Sequence, residues 1–182
     1  MPETGRLTRL HRHLACALLA GLTAGLVVAA EVPRGFEDDF DDDLRPWKEI
    51  EARLPAAPLP ANLEPVYVSA ATSYTFAIDR SSIDVASDGV VRYILVGTSS
   101  QGARNVSYEG IRCATREKKL YAFGQRDGSW SRSRRNAWER IIEVDRNRQH
   151  AALAQAFCEG GLPIERVDEI IRRIRNPVPR PP

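Results

Sequence analysis

From Tyr74 to Trp130 the apolar residues fall at every second position or in short unbroken runs parted by turn dipeptides, a period that suits strands and not helices. Tyr74, Phe76 and Ile78 alternate with small or polar neighbours and read as a half-buried strand, with a shorter one at Val66 to Val68 before it. Asp88-Gly89 is a turn signal, and Val90 to Val96, interrupted only by Arg92, reads as a central strand. A turn around Ser99 to Ala103 leads into Asn105 to Cys113. Leu120 to Gln125 and a turn at Asp127-Gly128 then lead to Trp130. These spacings predict an antiparallel meander of about four or five strands.

Helical periods flank that stretch. Trp47, Ile50 and Leu54 fall at i, i+3 and i+7, which predicts a short N-terminal helix over Pro46 to Leu54, followed by an extended proline-rich connector from Pro55 to Pro65. Asn147 to Glu159, with Leu153 and Phe157 four apart, predicts a helix ended by Gly160-Gly161. Pro163 is expected to open a second helix. Its apolar stripe is Ile164, Val167, Ile170, Ile171 and Ile174, with Arg166, Arg172, Arg173 and Arg175 outside it. Helices segregated to the ends of a run of strands indicate the α+β class.

The N-terminus changes the bookkeeping. Arg6, Arg9 and Arg12 precede an uncharged apolar run from Leu14 to Ala30, which closes on Val28-Ala29-Ala30 before Glu31. A basic leader, an apolar segment and a small-residue end are the pattern of a signal peptide, so we expect cleavage after Ala30 and a periplasmic mature chain. The alternative is an uncleaved anchor in the inner membrane, since the run is just long enough to cross the hydrocarbon layer. The expected organisation is a signal peptide over 1–30, an acidic arm over 31–43, one domain over 44–176 and a proline-rich tail over 177–182. The arm carries seven acidic residues against Arg34, so the formally neutral mature chain divides into an acidic leader and a basic body. Cys16 leaves with the signal, and the two remaining cysteines, Cys113 and Cys158, most simply form one disulfide in an oxidising compartment.

Support for catalysis is thin. The mature chain has a single histidine, His150, in Arg148-Gln149-His150-Ala151, where it reads as an exposed first-turn residue. No paired-histidine or clustered-cysteine spacing suggests a metal, and no nucleophile elbow or glycine-rich phosphate loop suggests a nucleotide or other cofactor. No catalytic residue is assigned. Carboxylates leave one enzyme reading open, a histidine-free hydrolase of envelope glycan using Glu109 and a second acid such as Asp79, with Asp84 and Asp88 as further candidates. A turn centred near Gln101 places Arg92 opposite Gly110 and diagonal to Glu109, so the first reading of Arg92 and Glu109 is an ion pair on the sheet. The remaining surface is Arg132, Arg134 and Arg135 between Trp130 and Trp138, suited to an anionic partner. Export argues against nucleic acid and points to an anionic glycan, a lipid headgroup or an acidic protein face.

Several runs together resemble one known family. They are Trp47-Lys48-Glu49, Asp88-Gly89-Val90-Val91-Arg92-Tyr93, Asn105 through Glu109-Gly110-Ile111-Arg112-Cys113, Tyr121-Ala122, Trp130, Trp138 and Phe157-Cys158. The set resembles the CNP-one-like family of small exported Gram-negative proteins over roughly residues 44 to 175. The resemblance implies a lineage with no assigned activity. Residues and resemblance together favour a non-catalytic binding or envelope-interaction domain, with the carboxylate hydrolase as the alternative.

Overall fold

The computed structural model describes residues 46–70, 72–142 and 148–177. The signal segment, the acidic arm and residues 178–182 of the tail lie outside the described residues. Five strands follow one another in space as in sequence: β1 (Leu63–Val66), β2 (Tyr74–Val85), β3 (Val90–Ser99), β4 (Arg104–Arg112) and β5 (Glu117–Gly124). All neighbours are antiparallel. Two short pieces, β6 (Trp130–Arg132) and β7 (Glu139–Arg140), pair with opposite ends of β5. Two helices, α1 (Arg148–Phe157) and α2 (Val167–Arg175), complete the α+β architecture, and a two-residue ribbon, β8 (Cys158–Glu159) with β9 (Leu162–Pro163), joins them. No described helix is long and apolar enough to cross a membrane.

The central strand β3 shows why its sequence is almost continuously apolar: both faces of the sheet are covered there, so every residue from Val90 to Gly97 is buried. On one face Val91, Tyr93 and Leu95 pack with Ile78 and Ile111 against Leu153, Phe157, Ile170 and Ile174 of the helices. The Tyr93 and Phe157 rings meet edge to face at 4.9 Å. On the other face Ile94, Val96, Tyr108 and Ala122 lie under Ala52, Leu54 and Trp130. Cys113, just after β4, is bonded to Cys158 at the end of α1, with a Cα–Cα separation of 5.5 Å, so the expected disulfide ties sheet to helix. The far end of the helical layer is held by Arg175 of α2, which grips Glu64 on edge strand β1 through two hydrogen bonds of 2.9 and 2.6 Å.

The predicted N-terminal helix does not form. Residues 46–59 carry no regular structure and run as a strap over the second face of the sheet. In a helix the Ile50 N–H would bond the carbonyl of Pro46. Here it donates to Asp88 Oδ2 at 2.8 Å, the Trp47 indole N–H donates to the Asp88 carbonyl at 2.7 Å, and Ile50 returns its own carbonyl to Arg92 Nη2 at 2.8 Å. Burial of Ala52 and the partial burial of Leu54 follow an extended period of two, not a helical stripe. Three boundaries also move. The first strand lies at Leu63–Val66, before Val66 to Val68. The Gly160-Gly161 pair, at φ +58° and +85°, forms the tight turn between β8 and β9, a conformation that favours glycine, so α1 stops at Phe157. Pro163 consequently sits in β9, and α2 starts four residues later.

The Asp88 carboxylate receives both Arg92 guanidinium nitrogens, at 3.2 and 2.7 Å, and both side chains are almost wholly buried. Burial raises the Asp88 pKa, but the Arg92 hydrogen bonds and the Ile50 N–H outweigh it and hold the carboxyl below its ordinary value. Removing one partner strands a buried charge, so Asp88→Ala should cost about 3–5 kcal/mol of unfolding free energy in urea titrations. It should also expose Trp47 to collisional quenchers; a loss under 1 kcal/mol with unchanged quenching would show that the strap is held otherwise.

Candidate functional site

The strand after the Asp127-Gly128 turn and the loop behind it place Arg132, Arg134 and Arg135 around a groove of about 540 Å³, with Leu120 and Phe123 of β5 as its apolar lining. Lys118 and Glu139 complete the charged rim. Glu139 takes Arg135 Nη1 at 3.0 Å and Lys118 Nζ at 3.2 Å, and these two hydrogen bonds lower its pKa. Arg132 and Arg134 are exposed and make no ion pair among the described residues. The two tryptophans do not join them. Trp130 packs on Tyr108 on the strap side and donates its indole N–H to the Pro55 carbonyl at 2.7 Å. Trp138 meets Trp47 edge to face at 5.8 Å and donates to Glu49. The expected cluster therefore splits, with the arginines lining a groove and the tryptophans fastening the strap.

Arg92 and Glu109 do not pair. Arg92 lies opposite Gly110 as expected, but that register puts Glu109 opposite Tyr93. Cross-strand partners share a face and successive residues alternate, so Arg92 points toward the strap and Glu109 toward the helices. The close approach on Arg92's side explains Gly110: a Cβ there would meet the Tyr121 ring and hydroxyl at 2.8–2.9 Å. Asp79 lies opposite Ile94, on the strap face, and accepts from the Ser81 N–H and hydroxyl in a local turn. Glu109 and Asp79 thus occupy opposite faces of the sheet, which removes the paired-carboxylate geometry the glycan hydrolase reading needed.

The residue that does meet Glu109 is His150. It is buried, not exposed in the first turn of α1, and its Nε2 lies 2.8 Å from Glu109 Oε2. The same oxygen accepts from the Tyr93 hydroxyl at 3.1 Å, and the Ser107 hydroxyl donates to Oε1 at 2.7 Å. Burial raises the Glu109 pKa; the hydrogen bond and charge of His150, with Ser107, more than reverse this and hold the carboxyl below its ordinary value. Burial, then the Glu109 charge, pushes the Tyr93 phenol well above its own, so Tyr93 stays a donor. An imidazole oriented by a carboxylate is half of a hydrolytic triad. Its other nitrogen, Nδ1, is buried without a hydrogen-bond partner among the described residues, so none of them presents a hydroxyl or thiol to it. The cluster docks α1 on the sheet. Among the described residues no group of three or more His, Cys, Asp or Glu side chains is placed to hold a metal.

Lys118, Leu120 and Phe123 escaped the reading of the sequence because they reach one face only through a bulge. The β4–β5 register shifts between Tyr108 and Glu109, which places an extra β5 residue, Tyr121, between Leu120 and Ala122. A second groove of about 520 Å³, between β1, β2 and α2, is lined by Tyr67, Tyr74 and Phe76 and has its arginine, Arg175, occupied by Glu64.

Comparison with known proteins adds a lineage. A family model described as the CNP1-like family matches residues 42–175. Cryptic neisserial protein 1 of Neisseria gonorrhoeae is 33% identical over 112 residues, covering 54% of this chain and 55% of that protein, so the chain spans about half the length of this relative. No solved structure matches. The residues that carry the family resemblance sort by face: Trp47, Asp88, Arg92, Tyr121, Trp130 and Trp138 secure the strap, while Tyr93, Glu109, Cys113, Phe157 and Cys158 secure the helices. None of them lines the arginine groove.

Because the folded pKa of Glu109 lies below its unfolded value, its contribution to stability is present above about pH 4.5 and lost as pH falls through the folded value. Glu109→Gln should lower stability at pH 7 by about 1–3 kcal/mol, with a melting temperature a few degrees lower, and the gap should narrow as pH falls below about 4.5. A gap that stays constant with pH would show that the carboxylate charge does not hold α1.

Proposed function

Since the chain belongs to the CNP1-like family, which has no assigned activity, we propose its function from its own groove: it is an exported, non-catalytic binding domain of the cell envelope that takes an anionic partner at Arg132, Arg134 and Arg135. The observation that carries the reading is the pair of exposed guanidiniums on Arg132 and Arg134, which no described carboxylate neutralises although 16 acidic residues lie in the chain after Asp43. Guanidinium is the side chain best matched to phosphate, sulfate and carboxylate, because its planar fork donates two parallel hydrogen bonds. The signal-like N-terminus and the Cys113–Cys158 bond both fit an oxidising, extracytoplasmic compartment. The fold supports a binding role in a second way. Both sheet faces are covered and the one histidine among the described residues is sealed against Glu109, while the arginine rim is exposed polar chemistry beside an apolar-lined groove.

The test is binding of a sulfated oligosaccharide, as a generic polyanion, at rising salt. Wild-type protein should bind at low ionic strength and release progressively, since exposed charges are screened beyond about 10 Å at 0.1 M salt. Arg132→Ala, Arg134→Ala and Arg135→Ala together should weaken binding at least tenfold while leaving unfolding free energy within about 0.5 kcal/mol, as expected for exposed side chains. Undiminished binding by the triple variant would place the anion site elsewhere.

A further inference from the structure

We infer that the groove beside β5 and β6 takes an anionic amphiphile, a molecule with a phosphate or carboxylate head and an alkyl chain, rather than a glycan or an acidic protein face. This rests on the anion-binding reading above and specifies its ligand. The polar half of the argument is Arg132 and Arg134, exposed and unpaired among the described residues. The apolar half is Phe123, which is 49% exposed near the end of β5 although a strand pairs with it on either side. Its exposure has a local cause. Phe123 stands between Ser107 on β4 and Ser131 on β6, and neither small side chain reaches high enough to cover an aromatic ring. The bulge at Tyr121 then turns Leu120 to the same side, so an apolar floor lies between the cationic rim and the sheet. A groove of about 540 Å³ falls within the roughly 300–1,000 Å³ of small-molecule sites. A polyanionic chain would satisfy the arginines and leave the ring wet; an alkyl chain beside an anionic head satisfies both, because covering an apolar ring is favourable in proportion to the area removed from water.

Three probes separate the possibilities by calorimetric titration of the purified protein: monomeric lysophosphatidylglycerol below its micelle concentration, glycerol phosphate as the same head without a chain, and the sulfated oligosaccharide. The lysolipid should bind at least tenfold more tightly than glycerol phosphate. Phe123→Ser should weaken the lysolipid about tenfold and leave the oligosaccharide unchanged, whereas Arg132→Ala with Arg134→Ala should weaken both. Equal affinity for lysolipid and glycerol phosphate, or indifference of the lysolipid to Phe123→Ser, would overturn the amphiphile while the anion site stands. Failure of all three probes to bind would overturn the anion site with it.

Discussion

The Asp88 carboxylate is the point from which one whole face of this protein is organised. A turn residue by sequence, it collects the Ile50 N–H, the Val90 N–H and both guanidinium nitrogens of Arg92, while its carbonyl accepts the Trp47 indole. Five donors on one residue turn a β-hairpin corner into the anchor of a strap some forty positions earlier in the chain. Once the strap is down, Arg112 stacks on the Trp47 ring at 3.8 Å and Glu49 reaches Lys119 at 2.7 Å. Trp130 reaches Pro55 from the other end. The sheet can then be apolar on both faces, which is what lets β3 carry an almost unbroken hydrophobic run with one buried arginine in it.

The opposite face is secured by a different kind of lock. There the disulfide joins the end of β4 to the end of α1, and the Glu109–His150 contact fixes the start of the same helix, so α1 is held at both ends. The two devices differ in what loosens them: the covalent bond answers to reductant, while the Glu109 carboxylate answers to acid, since its pKa is held below its ordinary value in the fold. Between two secured faces, the rim of β5 is where polar groups stay available. Ser107 and Ser131 leave Phe123 uncovered, and Glu139 is too small a countercharge for the four cations around it.

Much of this was legible in the residues. The strand order, the Arg92–Gly110 register and the isoleucine stripe of α2 follow from local period and short turns, while the disulfide follows from cysteine count alone. What misled was long-range. Trp47, Ile50 and Leu54 have helical spacing, but hydrogen bonds to Asp88 compete with the helix and prevail, and nothing near residue 50 announces them. The Glu109 partner was within reach: carrying the register through to side-chain parity puts Glu109 on Tyr93's face and away from Arg92. His150 as that partner was not, since a helix packing across a sheet has no signature in the sequence of either. The groove was half visible. Its arginines stand together in the chain, while Leu120 and Phe123 come to the same side only through a bulge that leaves no clear mark on the period.

Chemical-shift mapping of the backbone amides during titration with an anionic amphiphile would locate the proposed binding surface on the rim of β5 and β6. The largest changes should fall at Lys118 to Phe123 and Ser131 to Arg135, with Val91 to Val96 in the covered centre of the sheet unmoved. Changes centred instead on Tyr67, Tyr74 and Phe76, in the groove between β1, β2 and α2, would contradict the account and move the binding site to the far edge of the sheet.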